Sequence, residues 1–85
     1  MHKKVEEILE IDDDALFADG FDAAIIGSIG IIPLRVVYDA ERCIELLIEN
    51  LSCDFDDARE YFEFNCEGAY IGERTPIFVY LLDTT

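Results

Sequence analysis

The residues of this chain that could do chemistry are one histidine, three cysteines and twenty carboxylates. Catalysis needs a base, a nucleophile or a metal held together in one place. His2 stands beside the amino terminus, where chains fray, so it offers neither a triad base nor an ordered metal ligand. Cys43, Cys53 and Cys66 have no CxxC spacing and lie among acids, which hold a thiol protonated and unreactive. With so many acids, close carboxylate pairs arise by chance and select nothing. A glycosidase-type pair also needs a deep cleft, which a chain of 85 residues rarely forms alone. Asp12, Asp13, Asp14, Asp19 and Asp22 surround Gly20 and invite a calcium reading. The spacing does not support it: no Asp-x-Asp/Asn-x-Asp/Asn-Gly run with a closing glutamate is present. Gly27 and Gly30 in "AIIGSIGII" match neither phosphate-binding glycine motif and have no lysine to meet a phosphate. The expectation is therefore a non-enzyme without cofactor or metal.

Six basic residues against those acids give a net charge of −14. Such a charge opposes contact with phosphate backbones and anionic lipid and steers the chain toward basic protein surfaces. Basic patches with interleaved aromatics are absent, so direct nucleic-acid binding is not expected. An apolar fraction of 52% is ample for a core and argues against disorder. No apolar run approaches the ~20 residues that span a bilayer. "MHKKVEEILE" has lysines but no apolar segment behind them, so no signal peptide is expected. The odd cysteine count argues against a disulfide framework and fits a reducing compartment, with no membrane association.

These side chains must be positioned by a single small domain, read as an N-terminal helix and acidic loop over residues 1–21 and a core over 22–82. Val5, Ile8 and Leu9 are spaced for one amphipathic helix over Lys3 to Glu10. "AIIGSIGII" and "LRVVYD" are β-branched and read as two strands joined across Pro33, with the glycines marking a bulge or a close backbone approach. Asp39 caps a helix whose stripe is Cys43, Ile44, Leu47, Ile48 and Leu51; Glu41, Glu45 and Glu49 give it one uniformly acidic face. Asp54 starts a second helix with Asp56 and Asp57 in its first turn and Ala58, Tyr61, Phe62, Asn65 and Cys66 as its stripe. Gly68 is expected to end that helix in a left-handed conformation. "TPIFVYLLD" reads as a closing strand, apolar on both faces and so central or covered on both sides. The order α-β-β-α-α-β predicts an α+β fold, an antiparallel sheet packed on a helical hairpin.

The segments "AIIG", "VVYDAERCIELL" and "DDAREYFEFNCEGAYIGERTPIF" resemble a family of small acidic, largely uncharacterised proteins of tailed bacteriophages and prophages. The shared pattern is a Tyr-Asp ahead of a Cys-Ile-Glu helix, then Glu-Tyr-Phe-Glu-Phe-Asn and a Gly-Ala-Tyr-x-Gly-Glu-x-Thr-Pro turn, covering about residues 22 to 79. The resemblance implies a phage setting and the host cell cytoplasm; it supplies no catalytic residues. Phage proteins of this size and charge include uracil-DNA glycosylase inhibitors and anti-CRISPR proteins, an analogy of surface character without shared motifs. The leading reading is an inhibitor of a host or defence protein with a basic surface, some such inhibitors acting as nucleic-acid mimics. Its expected contacts are Asp12, Asp13, Asp14, Glu41, Glu45, Glu49, Asp56, Glu60, Glu63 and Glu73. Tyr70, Phe64 and Arg74 are further candidates, with aromatic anchors expected to dominate such interfaces. One alternative is an assembly module, a homodimer or larger homo-oligomer pairing through the apolar strands. The other is a small-ligand or metal-binding protein using the Gly68–Pro76 turn.

Overall fold

The computed structural model describes residues 2–82. It is an α+β domain with the helices α1 (Lys3–Ile11), α2 (Ala40–Leu51) and α3 (Phe55–Phe62) and the strands β1 (Ile25–Ile29), β2 (Arg35–Asp39) and β3 (Ile77–Val79). The predicted element order holds, with a short 3₁₀ turn at Asp22–Ala24 and a π-helical turn at Glu63–Glu67.

Local chemistry sets most boundaries. The His2 imidazole accepts a hydrogen bond from Lys4 N–H at the start of α1, which buries Val5 and Ile8. These two side chains and Phe21 share the core with the strands and the later helices, so residues 2–21 are integral to the fold. β1 and β2 form an antiparallel hairpin whose register slips between Ile25 and Gly27, a β-bulge at Ile26. Gly30 closes the hairpin at φ +79°, and a Cβ there would lie 2.8 Å from the Pro33 carbonyl oxygen. Both expected roles of these glycines, bulge and close approach, are thus present. Along β2 the pleat buries Val36 and Tyr38 and leaves Arg35, Val37 and Asp39 half-buried.

Asp39 ends β2 and caps α2, its carboxylate accepting from the Glu41 and Arg42 N–H groups. Asp54 caps α3 through Asp57 N–H at 2.9 Å. Only Ser52, at φ 53°, and its neighbours separate the two helices, which pack as a hairpin. α3 does not stop at a left-handed glycine as expected. It widens into the π-helical turn, and Gly68 follows at φ −94°. The Asn65 amide donates back from this turn to the Tyr61 carbonyl of α3 at 3.0 Å.

The sheet has the order β1-β2-β3, and it is mixed where an antiparallel sheet was expected. The two-helix connection carries the chain from the end of β2 back to its beginning, so β3 enters parallel to β2. β3 is also shorter than expected and lies at an edge, with β2 in the centre; Tyr80 to Leu82 continue beyond it, and Asp83 lies outside the described residues. The inner face carries an aromatic cluster. The Phe62 ring stands edge-on to Phe78 at 5.1 Å and to Phe21 at 6.3 Å, while Tyr38 stacks on Phe78 at 5.2 Å. Tyr61, expected in the core, is 47% exposed. The π-helical turn favours the i+4 row Ala58, Phe62 and Cys66 and leaves Tyr61 off the buried stripe. Among the described residues, no helix is long and apolar enough to cross a membrane.

The Tyr38 hydroxyl accepts from Ala18 N–H at 2.8 Å, tying the acidic loop to the sheet, and burial pushes its pKa up to about 12. Tyr38→Phe keeps the stacked ring and strips that amide of its partner. Chemical denaturation should show a loss of about 1–3 kcal/mol with the fold retained.

Candidate interaction surface

Five of the six cations of this chain, all but Lys3, are engaged within the fold. Lys4 Nζ donates to the Ile25 carbonyl at 2.6 Å and Arg35 Nε to the Thr75 carbonyl at 2.7 Å. Arg42 meets Glu45 at 3.0 Å and Glu49 at 3.6 Å, Arg59 meets Glu63 at 3.1 Å, and Arg74 meets Asp12 at 2.8 Å and Glu73 at 3.6 Å. Five carboxylates are ion-paired among the described residues, so most of the twenty face solvent without a cation. Side-chain placement has concentrated the negative field on the surface.

The expected contact residues divide into three groups. Asp12 is not a surface contact: it is 3% exposed. Its carboxylate accepts from Leu34 N–H and Asp14 N–H, both at 3.0 Å, and from Arg74 Nε. The Arg74 hydrogen bond foremost, then the Leu34 amide, hold its pKa below the ordinary 3.8. Arg74 is likewise an internal partner and leaves the set of candidate contacts. Asp13 and Asp14 stay exposed; their carboxylates lie within 4.8 Å of that of Asp12, whose oxygens are already engaged.

The second group lies on the helical hairpin. Glu41, Glu45 and Glu49 are exposed on α2, but Arg42 reaches two of them, so the face is not uniformly acidic. Glu41 and Glu45 rim a groove floored by Ile44, Phe55 and Tyr80. Arg59 stands 5.9 Å over the Tyr80 ring, and Tyr80 donates its hydroxyl to Glu67 at 2.8 Å. Asp56, Glu60 and Glu63 are exposed along α3, the last paired with Arg59.

The third group surrounds the turn after the π-helical segment. Thr75 is buried and holds this turn, its hydroxyl accepting from Ile71 and Gly72 N–H and donating to the Gly72 carbonyl at 2.6 Å. Gly72 adopts φ +136°, which favours glycine. The turn thereby projects Tyr70, 82% exposed, and Ile71. Ile71 is the common wall of two adjoining grooves. One, about 250 Å³, is lined by Phe17, Tyr61, Cys66, Ile71 and Phe78 with Asp19 at its margin. The other is lined by Asp14, Leu16, Ile71, Glu73 and Arg74. The result is an apolar, aromatic trough with Asp14, Asp19 and Glu73 at its rim. Phe64, 83% exposed, lies on the π-helical turn that forms one wall. Phe17 and Ile71 were not singled out from sequence, and Asp19 was weighed there only for calcium; they meet here from segments some fifty residues apart.

Burial foremost pushes the Cys43 thiol pKa up to about 12, with the nearby Cys66 and Asp39 adding to it, and burial also raises Cys66. What the trough offers is an apolar floor with carboxylates at its rim, the one cation in its lining, Arg74, being held by Asp12, an arrangement suited to holding a cationic, partly apolar surface. Comparison with protein-family models, curated proteins and solved structures gives no match.

Proposed function

We propose that this chain is a non-catalytic binding protein that attaches to a basic surface of a protein partner and inhibits it. The observation that carries the reading is the trough around Ile71, where exposed aromatic and apolar groups lie beside carboxylates that have no full cationic partner. Aromatic anchors supply affinity at such a surface, and the charged rim supplies steering and orientation. The resemblance to small acidic phage proteins adds the setting: a host or defence factor whose groove ordinarily receives phosphates, met in the host cytoplasm. Asp14, Asp19, Tyr70, Ile71 and Glu73 are the contacts this reading selects, with the hairpin acids contributing long-range attraction.

The test uses the chain as bait in a bacterial lysate, followed by titration of the purified captured protein. Neutralising the rim with Asp14→Asn, Asp19→Asn and Glu73→Gln together should weaken binding roughly tenfold or more and flatten its salt dependence. Glu49→Gln, remote from the trough, should change little. Binding that survives about 0.5 M salt and the triple neutralisation unchanged would overturn the electrostatic reading.

A further inference from the structure

Residues 23–38 hold no carboxylate and a single charge, Arg35, in a chain whose net charge is −14. This stretch folds into the β1–β2 hairpin, and Ile26, Ile29, Ile31 and Ile32 are all exposed on it. β1 is an edge strand. Edge strands are commonly protected by charged residues or proline, because their unpaired N–H and C=O groups template pairing with another chain. β1, "IIGSI", has neither. Its bulged start is occupied, since Lys4 of α1 reaches the Ile25 carbonyl, but Gly27, Ser28 and Ile29 continue past that contact.

We infer that β1 pairs with β1 of a second copy of this chain about a two-fold axis, joining two three-stranded sheets into one continuous sheet. The charge distribution selects this occupant. In a two-fold contact each residue faces its own surroundings again, so any surface rich in carboxylates repels itself. The hairpin itself has no carboxylate and largely escapes that penalty; α1 borders its start with Glu7 beside Lys4, on a groove shared with Gly27 and Ser28. The same lack of negative charge means that the hairpin has nothing to attract a basic partner, so the proposed binding trough and this edge take different occupants. Ile29, on the same sheet face as its pair partner Arg35, and the exposed isoleucines of the hairpin supply the apolar patch.

The inference fixes the sign of the salt effect. Two chains at −14 repel over long range, so added salt should strengthen self-association, whereas it weakens attachment to a basic partner. Sedimentation velocity of the full chain, from micromolar to hundreds of micromolar, should show a monomer–dimer equilibrium that tightens several-fold or more between low salt and about 0.5 M salt. Ile29→Lys should weaken the dimer at least about tenfold by setting like charges near the axis, with an unchanged melting profile. Amide exchange supplies a readout free of mutation: those N–H groups of Gly27, Ser28 and Ile29 that point away from β2 should become more protected as concentration rises. A strict monomer under all these conditions overturns the inference. So does a dimer that is indifferent to Ile29→Lys and leaves β1 exchange unchanged. Protection of β1 that appears only when a foreign protein is added also overturns it and assigns the edge to that partner's strand.

Discussion

Asp12→Ala should lower the melting temperature by more than about 10 °C, a drop read by circular dichroism. The carboxylate joins three segments of the chain at one buried point. It accepts the Leu34 amide at the entry to β2, closes its own loop through Asp14 N–H, and pairs with Arg74 sixty-two residues later. Alanine removes all of these at once and leaves the buried Leu34 N–H without an acceptor, as well as a largely covered guanidinium with only the longer contact to Glu73. Asp12→Asn keeps the shape and an acceptor oxygen while deleting the charge, so its loss should be intermediate. A fall of only a few degrees in the alanine variant would mean that Arg74 and Leu34 find other partners at little cost.

The same contact gives stability a pH signature. The folded pKa of Asp12 is lowered, so folding favours the ionised form. Its contribution is complete above the unfolded value of about 3.9 and is lost as pH falls through the lower folded value. Acidification also relieves the repulsion among the other carboxylates, so the wild-type profile mixes two opposing effects. The difference between wild type and Asp12→Asn isolates the first. It should be constant near neutrality and shrink below about pH 4, followed by denaturant titration at each pH.

How much of this was legible in the sequence depends on the range of the interaction. Asp39 and Asp54 were readable as caps because their acceptors serve N–H groups two or three residues away. Gly27 and Gly30 were readable because bulges and tight reversals impose local demands on the backbone. Asp12 looked like its exposed neighbours Asp13 and Asp14, since nothing nearby in the chain distinguishes it. Its role is set by Leu34 and Arg74, and only the folded topology supplies them. The parallel entry of β3 is a consequence of how the helical hairpin returns the chain, which composition does not encode. Tyr70 and Glu73 were found as exposed turn residues, but the trough itself was not. Phe17 and Ile71 read as ordinary apolar loop positions until the two loops are brought together around Tyr61 and Phe78.

The run Tyr61, Phe62, Glu63, Phe64 offers the sharpest separation of folding from binding. Phe62 is fully buried and meets both Phe21 and Phe78 edge-on. Phe62→Ala removes a ring from the contact of α3 with the sheet and opens a cavity at the centre of the aromatic cluster, a loss of about 3–5 kcal/mol. A domain of this size holds roughly 5–15 kcal/mol in total, and at −14 self-repulsion places this one toward the lower end. The variant should therefore be largely unfolded near physiological temperature and show no cooperative melt. Phe64→Ala, two positions on, strips a ring that is already in solvent and should shift the melting temperature by no more than about 2 °C. Tyr61→Ala should behave like Phe64→Ala in stability, yet remove one wall of the trough. Under the proposed function, Tyr61→Ala costs partner affinity while the fold survives, and Phe62→Ala costs both. Equal stability losses at all three positions would show that the π-helical turn packs its exposed aromatics more tightly than the accessible surface implies, and the trough would then be a part of the core.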